Sequence, residues 1–211
     1  MSNGRFIVLE GIDGAGTTTQ LRMLSDRLSA AGHKIHSTRE PSDGPIGNLL
    51  RGVLSGRIRM STSAGGGPLD QRAIALLFAA DRLDHLTSEI EPALLRGFHV
   101  ITDRYLASSI AYQSLFAPTD WVSEINAYAS SPDLTVLLDV DPKIALGRMQ
   151  QGRVGEELYE RLELLEKIAS TYRSVAAGSQ DRFLVLDGTA PIPVVTQRIV
   201  DELCRRFPEF A

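Results

Sequence analysis

Nine consecutive residues carry the first chemical signal. Gly11-Ile12-Asp13-Gly14-Ala15-Gly16-Thr17-Thr18-Thr19 follows the apolar run Phe6-Ile7-Val8-Leu9 and precedes a helical pattern. The spacing is that of a phosphate cradle, G-x-x-x-x-G-K-[ST], with Thr17 at the lysine position. Such a loop turns successive backbone N–H groups inward and sets the positive end of a helix dipole behind them. Gly11, Gly14, Ala15, Gly16, Thr17, Thr18 and Thr19 are therefore the expected phosphate contacts. Thr18 stands where a hydroxyl would hold Mg²⁺, a position equally suited to bonding an open N–H of the first helical turn. Thr17 leaves out the one side-chain charge that would reach a transferred phosphate.

Further candidates follow along the chain. Asp103-Arg104 ends an apolar run: the carboxylate can hold Mg²⁺ through water and the guanidinium can fork onto phosphate oxygens, or the two can be an ion pair at a strand end. Arg39-Glu40-Pro41 adds an arginine at the end of another strand. Arg51, Arg72 and Arg82 lie in helical patterns, where a single arginine is ordinarily a solvated charge. Phe78 and Arg82 share a face at i and i+4, so a planar base could stack on Phe78 while Arg82 approaches its carbonyl edge; on pattern alone Phe78 is equally a core residue. Ser108, Ser109, Tyr112 and Gln113 form a polar helix face that either reads a base or is wet.

These residues need a scaffold, and the hydrophobic pattern supplies one. Strands are expected over residues 5–10, 33–38, 99–102, 134–140 and 183–187, with helical patterns over 18–31, 46–54, 69–95, 107–115, 119–129, 159–176 and 193–207. Asp141-Pro142 reads as a helix N-cap and first position. Residues 61–68 are Gly/Ser-rich and read as a loop; residues 147–158, with little apolar periodicity, read as a lid. Strands alternating with helices imply a parallel sheet covered on both faces, with the phosphate loop leaving a central strand. Ligands of such sheets bind at the strand carboxyl ends, where the candidates lie.

Length and charge narrow the class. The 211 residues fit one domain, and a net charge of −4 argues against a broad nucleic-acid surface. The single cysteine, Cys204, excludes an intramolecular disulfide framework and reads as a packed thiol. The first strand begins within five residues and no apolar run approaches a membrane span, so the expectation is a cytoplasmic protein with no membrane segment.

Six segments in register resemble the thymidylate kinase family: Phe6 through Gly16, Thr38-Arg39-Glu40-Pro41, Leu77-Phe78-Ala79-Ala80-Asp81-Arg82, Asp103-Arg104-Tyr105 with Ser108 through Gln113, Pro132 through Thr135, and Leu138-Asp139-Val140. The resemblance implies a P-loop NTPase-type three-layer α/β/α fold, with a five-stranded parallel sheet of order 2-3-1-4-5 and a small lid near 147–158. It implies transfer of the ATP γ-phosphate to dTMP with Mg²⁺, and a homodimer. By the same resemblance Asp13 meets the sugar 3′-hydroxyl, Arg39 the acceptor phosphate, and Asp103 with Arg104 the metal and phosphates. Phe78 stacks on thymine, Arg82 meets its carbonyl, and Ser109 and Gln113 border the nucleoside. Family members without an added loop arginine draw one from the lid, which makes Arg148 and Arg153 candidates to approach the γ-phosphate. Three other readings stay open on the sequence: a kinase for a different deoxynucleoside monophosphate, a catalytically silent nucleotide-binding protein marked by Thr17, and a structural or interaction protein on a P-loop scaffold.

Overall fold

The computed structural model describes residues 4–59, 67–149 and 156–211. Five parallel strands form one sheet in the order β2-β3-β1-β4-β5, as the resemblance implies. They are β1 (Phe6–Glu10), β2 (Ile35–Arg39), β3 (His99–Asp103), β4 (Leu134–Asp139) and β5 (Phe183–Asp187). All five residues of the central strand β1 are buried, which is why its first four, Phe6 to Leu9, read as an unbroken apolar run rather than an alternating one. The helices are α1 (Thr17–Ala30), α2 (Pro45–Leu54), α3 (Gln71–His85), α4 (Glu91–Leu95), α5 (Leu106–Gln113), α6 (Thr119–Ile125), α7 (Pro142–Met149), α8 (Glu156–Ala177) and α9 (Ile192–Arg206). Among the described residues, no helix is long and apolar enough to cross a membrane.

The register aligns the chemistry. β1 pairs with β3 so that Leu9 lies opposite Asp103, and β2 pairs with β3 so that Arg39 lies opposite Asp103. The chain leaves β1 into the glycine loop, β2 into Glu40-Pro41 and β3 into Arg104, all on one rim. A core that includes Ile7, Leu9, Leu24, Ile101, Leu137, Ile168 and Ile199 ties α1, α8 and α9 to the sheet beneath that rim.

Three expectations change. The pattern over 69–95 is not one helix: α3 passes through a π turn, Leu86–Ile90, into α4. Pro92 lies in the first turn of α4, directly after the π turn. The helix read over 119–129 stops at Ile125, where the buried Asn126 turns its amide back onto the Val122 carbonyl at 2.8 Å. The irregular segment 147–158 is helical at both described ends, since α7 runs to Met149 and α8 starts at Glu156. Arg153 and residues 61–66 of the glycine- and serine-rich loop lie outside the described residues.

Candidate active site

The loop between β1 and α1 turns on two glycines. Gly14 has φ 83°, and a Cβ there would stand 2.5 Å from the Ala145 carbonyl oxygen. Gly16 is the N-cap of α1 at φ 99°, with no side chain capping the helix. Both conformations are costly for any residue with a Cβ. The first helical N–H with a partner on the loop is that of Gln20, which donates to the Gly16 carbonyl at 3.0 Å. The amides of Thr17, Thr18 and Thr19, which open α1, therefore remain to receive an anion at the positive end of the helix.

Thr18 and Asp103 meet across this opening. The Thr18 hydroxyl donates to Asp103 Oδ2 at 2.5 Å, while Asp103 Oδ1 is buried without a partner among the described residues. An unshared carboxylate oxygen beside a hydroxyl suits a hard, oxygen-seeking cation such as Mg²⁺.

Arg104 occupies the next position in a strained backbone, φ 72°, the one non-glycine residue with positive φ among the described residues. Its Nη2 donates to Asp13 Oδ1 at 2.7 Å and its Nη1 to the Gly11 carbonyl at 3.1 Å. Burial works against its charge, but the hydroxyls of Tyr112 and Tyr172 and the carboxylates of Asp13 and Glu10 outweigh burial and raise its pKa. The Tyr112 ring stacks near the guanidinium at 5.3 Å, and burial pushes its phenol up to about 12. Asp13 also accepts from the Tyr112 hydroxyl at 3.1 Å.

Three cavities open on the rim. The first, about 370 Å³, is walled by Ile74, Phe78, Leu115, Phe116 and Leu164, with Arg82, Ser108, Ser109, Tyr112 and Gln113 among its polar residues. The second, about 360 Å³, lies on the other side of the loop between Gly14, Gln20, Arg148, Gly188 and Ile192. The third, about 370 Å³, lies between them against Thr17, Thr18, Thr19 and Asp103. It shares Asp13 and Arg104 with the first cavity and Gly14, Gly16 and Thr19 with the second. Among the described residues, Arg104 is the one cation that lines it.

The other expected residues divide. Phe78 is only partly buried: it packs on Leu50, Val53 and Ile74 and lines the first cavity. Arg82 lines that cavity but is 1% exposed, with Nη2 donating to Glu40, Ser109 and the Tyr105 carbonyl and Nη1 to Asn126. Gln113 keeps its Oε1 buried, with no hydrogen-bond partner among the described residues. Arg39 is turned outward to Asp43 at 2.9 Å, and Arg51 donates to the Pro41 and Ser42 carbonyls; neither lines the first cavity. Arg72 is paired with Asp70 on the surface. Arg148 lines the second cavity, not the central one, and donates to the carbonyls of Gly14, Ala15 and Gly188.

The sequence reading missed the residues beneath this surface. Glu10 is fully buried; its Oε1 accepts from the Tyr105 and Ser108 amides, and its Oε2 from the Ser108 and Tyr172 hydroxyls at 2.6 and 3.0 Å. Burial raises its pKa against the lowering effect of the Ser108 hydroxyl. A charged residue closing an apolar run was the available signal for Glu10. Tyr172, from the middle of α8, gave none.

Comparison with known proteins agrees with this architecture. The family model described as thymidylate kinase matches residues 9–199. A protein named "Probable thymidylate kinase" from Pyrobaculum aerophilum is 39% identical over 206 residues, covering 97% of this chain and 98% of its own. One of the same name from Methanococcus maripaludis strain C6 is 40% identical over 213 residues, covering 97% and 98%. Another from Thermococcus kodakarensis is 39% identical over 173 residues, covering 81% and 83%. With the strand order, the glycine loop and the three joined cavities, these matches show that the chain belongs to the thymidylate kinase family.

Proposed function

We propose that this chain transfers the γ-phosphoryl group of ATP to dTMP, giving ADP and dTDP, through a phosphate loop in which Arg104 supplies the charge that a lysine supplies elsewhere. The carrying observation is the central cavity, which shares residues with a base-sized cavity on each side. A phosphate chain laid along the loop would reach an acceptor phosphate next to Arg104. The relatives' names support dTMP as acceptor.

In this reading the loop amides hold the donor phosphates, and the second cavity takes the donor nucleoside against Arg148 and Gly188. Thr18 and Asp103 hold Mg²⁺, which when bound neutralises charge on the phosphates. Asp13 meets the acceptor sugar, Phe78 stacks on the base, and Gln113 and Arg82 offer it polar atoms. Arg39 and Arg51 reach the acceptor phosphate only by leaving Asp43 and the carbonyls of residues 41–42; Arg104 already lines the shared cavity. Positioning and charge do most of the work of phosphoryl transfer, so the site acts chiefly by holding the two phosphates and lowering their repulsion.

A homodimer is part of the proposal, since α3 leaves Leu76 and Leu83 exposed two turns apart. Purified protein with ATP, Mg²⁺ and dTMP is expected to yield ADP and dTDP, with dUMP, dCMP and dGMP turned over more slowly. Nucleotide binding without turnover would overturn the kinase reading in favour of a silent binding protein. Sedimentation equilibrium of the same preparation is expected to give twice 23.0 kDa; a monomer at micromolar concentration would remove the dimer from the proposal.

A further inference from the structure

Behind Arg82, three buried polar atoms have no hydrogen-bond partner among the described residues: Glu40 Oε1, Arg82 Nε and His85 Nδ1. They belong to one connected group. Arg82 Nη2 donates to Glu40 Oε2 at 2.6 Å, and Glu40 Oε1 lies 3.6 Å from His85 Nδ1. The side chains of Arg82, Glu40 and His85 are 1%, 3% and 0% exposed. On its other side His85 Nε2 is 2.8 Å from the Thr38 hydroxyl and 3.5 Å from Glu89 Oε2, while His36 takes Glu89 Oε1 at 2.8 Å. Thr38 can donate to Nε2, and in that tautomer the ring proton is on Nδ1, facing Glu40. Glu40 and Arg82 line the first cavity and His85 does not.

A buried donor and acceptor that face each other at 3.6 Å are one small movement from a charge-assisted bond, and leaving them apart is unfavourable. We propose that His85 is a positioning residue: its Nδ1–H restrains Glu40, Glu40 restrains the Arg82 guanidinium, and the uncommitted Arg82 Nε–H is held ready for the polar edge of the acceptor base. The proposal rests on the reading of the first cavity as the acceptor site. Occupation of the cavity then draws the Glu40–His85 pair together, as site hydrogen bonds that are long without substrate tighten when it binds.

Two substitutions of similar size separate this from a packing role. His85→Asn keeps an amide nitrogen near the Nδ1 position, facing Glu40; His85→Gln places one near Nε2, facing Thr38. His85→Gln is expected to raise KM for dTMP about tenfold with kcat and KM for ATP unchanged, and His85→Asn to stay within about threefold of the parent, the difference being one buried bond to a charged group. Equal changes in the two variants, or changes in melting temperature alone, would overturn the proposal. Calorimetric Kd for dTMP makes the same comparison without turnover. A parent protein that binds dTMP but does not transfer phosphate would thus fail the kinase reading while leaving this one intact, and a parent that does not bind dTMP would overturn both.

Discussion

Arg104→Ala is expected to lower kcat for ADP formation by about 10³-fold while changing KM for ATP by less than about threefold. The loss is large because nothing else described lines the central cavity with positive charge. Thr17 stands where a lysine would, and Arg148 spends its donors on carbonyls of the second cavity's wall. Arg104 is also held in place in advance. Asp13 and the Gly11 carbonyl fix its two ends, Tyr112 stacks near it, and Tyr172 and Ser108 stand by Nη1 at 3.4 and 3.3 Å. A fixed charge of this kind needs no reorganisation as charge moves between phosphates. Alanine inherits the positive φ, so Arg104→Gly serves as the control in which backbone strain is relieved; the same kcat is expected. The decisive arm is Thr17→Lys. In the Arg104→Ala background it is expected to recover at least about tenfold in kcat, while alone it changes kcat by less than about threefold, because residues sharing one task are not additive. A rise in KM for dTMP with kcat intact would show that Arg104 only binds the acceptor and that the lysine's task lies elsewhere.

The legibility of this site followed the range of the signals. The loop, the strand ends and the 2-3-1-4-5 sheet rest on local spacing and continuous apolar runs, and Gly16, Thr18, Asp103 and Arg104 stand on the rim where that reading put them. Arg39 and Arg51 show the limit. Sequence puts a guanidinium near the rim but does not say which partner takes it, and here Asp43 and two carbonyls do. Arg148 shows the same limit at greater distance, since its side of the loop depends on how α7 packs beneath Gly14. The supporting groups were less legible still. Glu10 and Tyr172 are 162 positions apart and meet only because α8 packs against α5 and β4, a tertiary fact with no periodicity of its own. The π turn after His85 interrupts a helical pattern that gives no local sign of it.

Asp103→Asn separates metal binding from the rest of the site. The parent carboxylate has one oxygen committed to the Thr18 hydroxyl and one buried without a partner among the described residues. An asparagine can keep the first contact through its carbonyl oxygen, but it puts an N–H₂, a donor, where a cation needs an acceptor. Fold stability should therefore change little, or rise, because a buried charge lacking a full set of partners is exchanged for a neutral amide. Catalysis should not survive that exchange: kcat is expected to fall by about 10³-fold, the scale of losing one charge-stabilising element in phosphoryl transfer. The binding readout is more diagnostic than the rate. Adding Mg²⁺ to the ADP complex of the parent is expected to raise its melting temperature above that with ADP alone, by the mass-action stabilisation of a ligand that binds only the folded state. In Asp103→Asn that increment should vanish while the increment from ADP alone remains, because the loop amides that hold phosphate are untouched. If Mg²⁺ still stabilised the variant's ADP complex to the parental extent, the cation would be held elsewhere, and the unpartnered Oδ1 of Asp103 would need a different explanation.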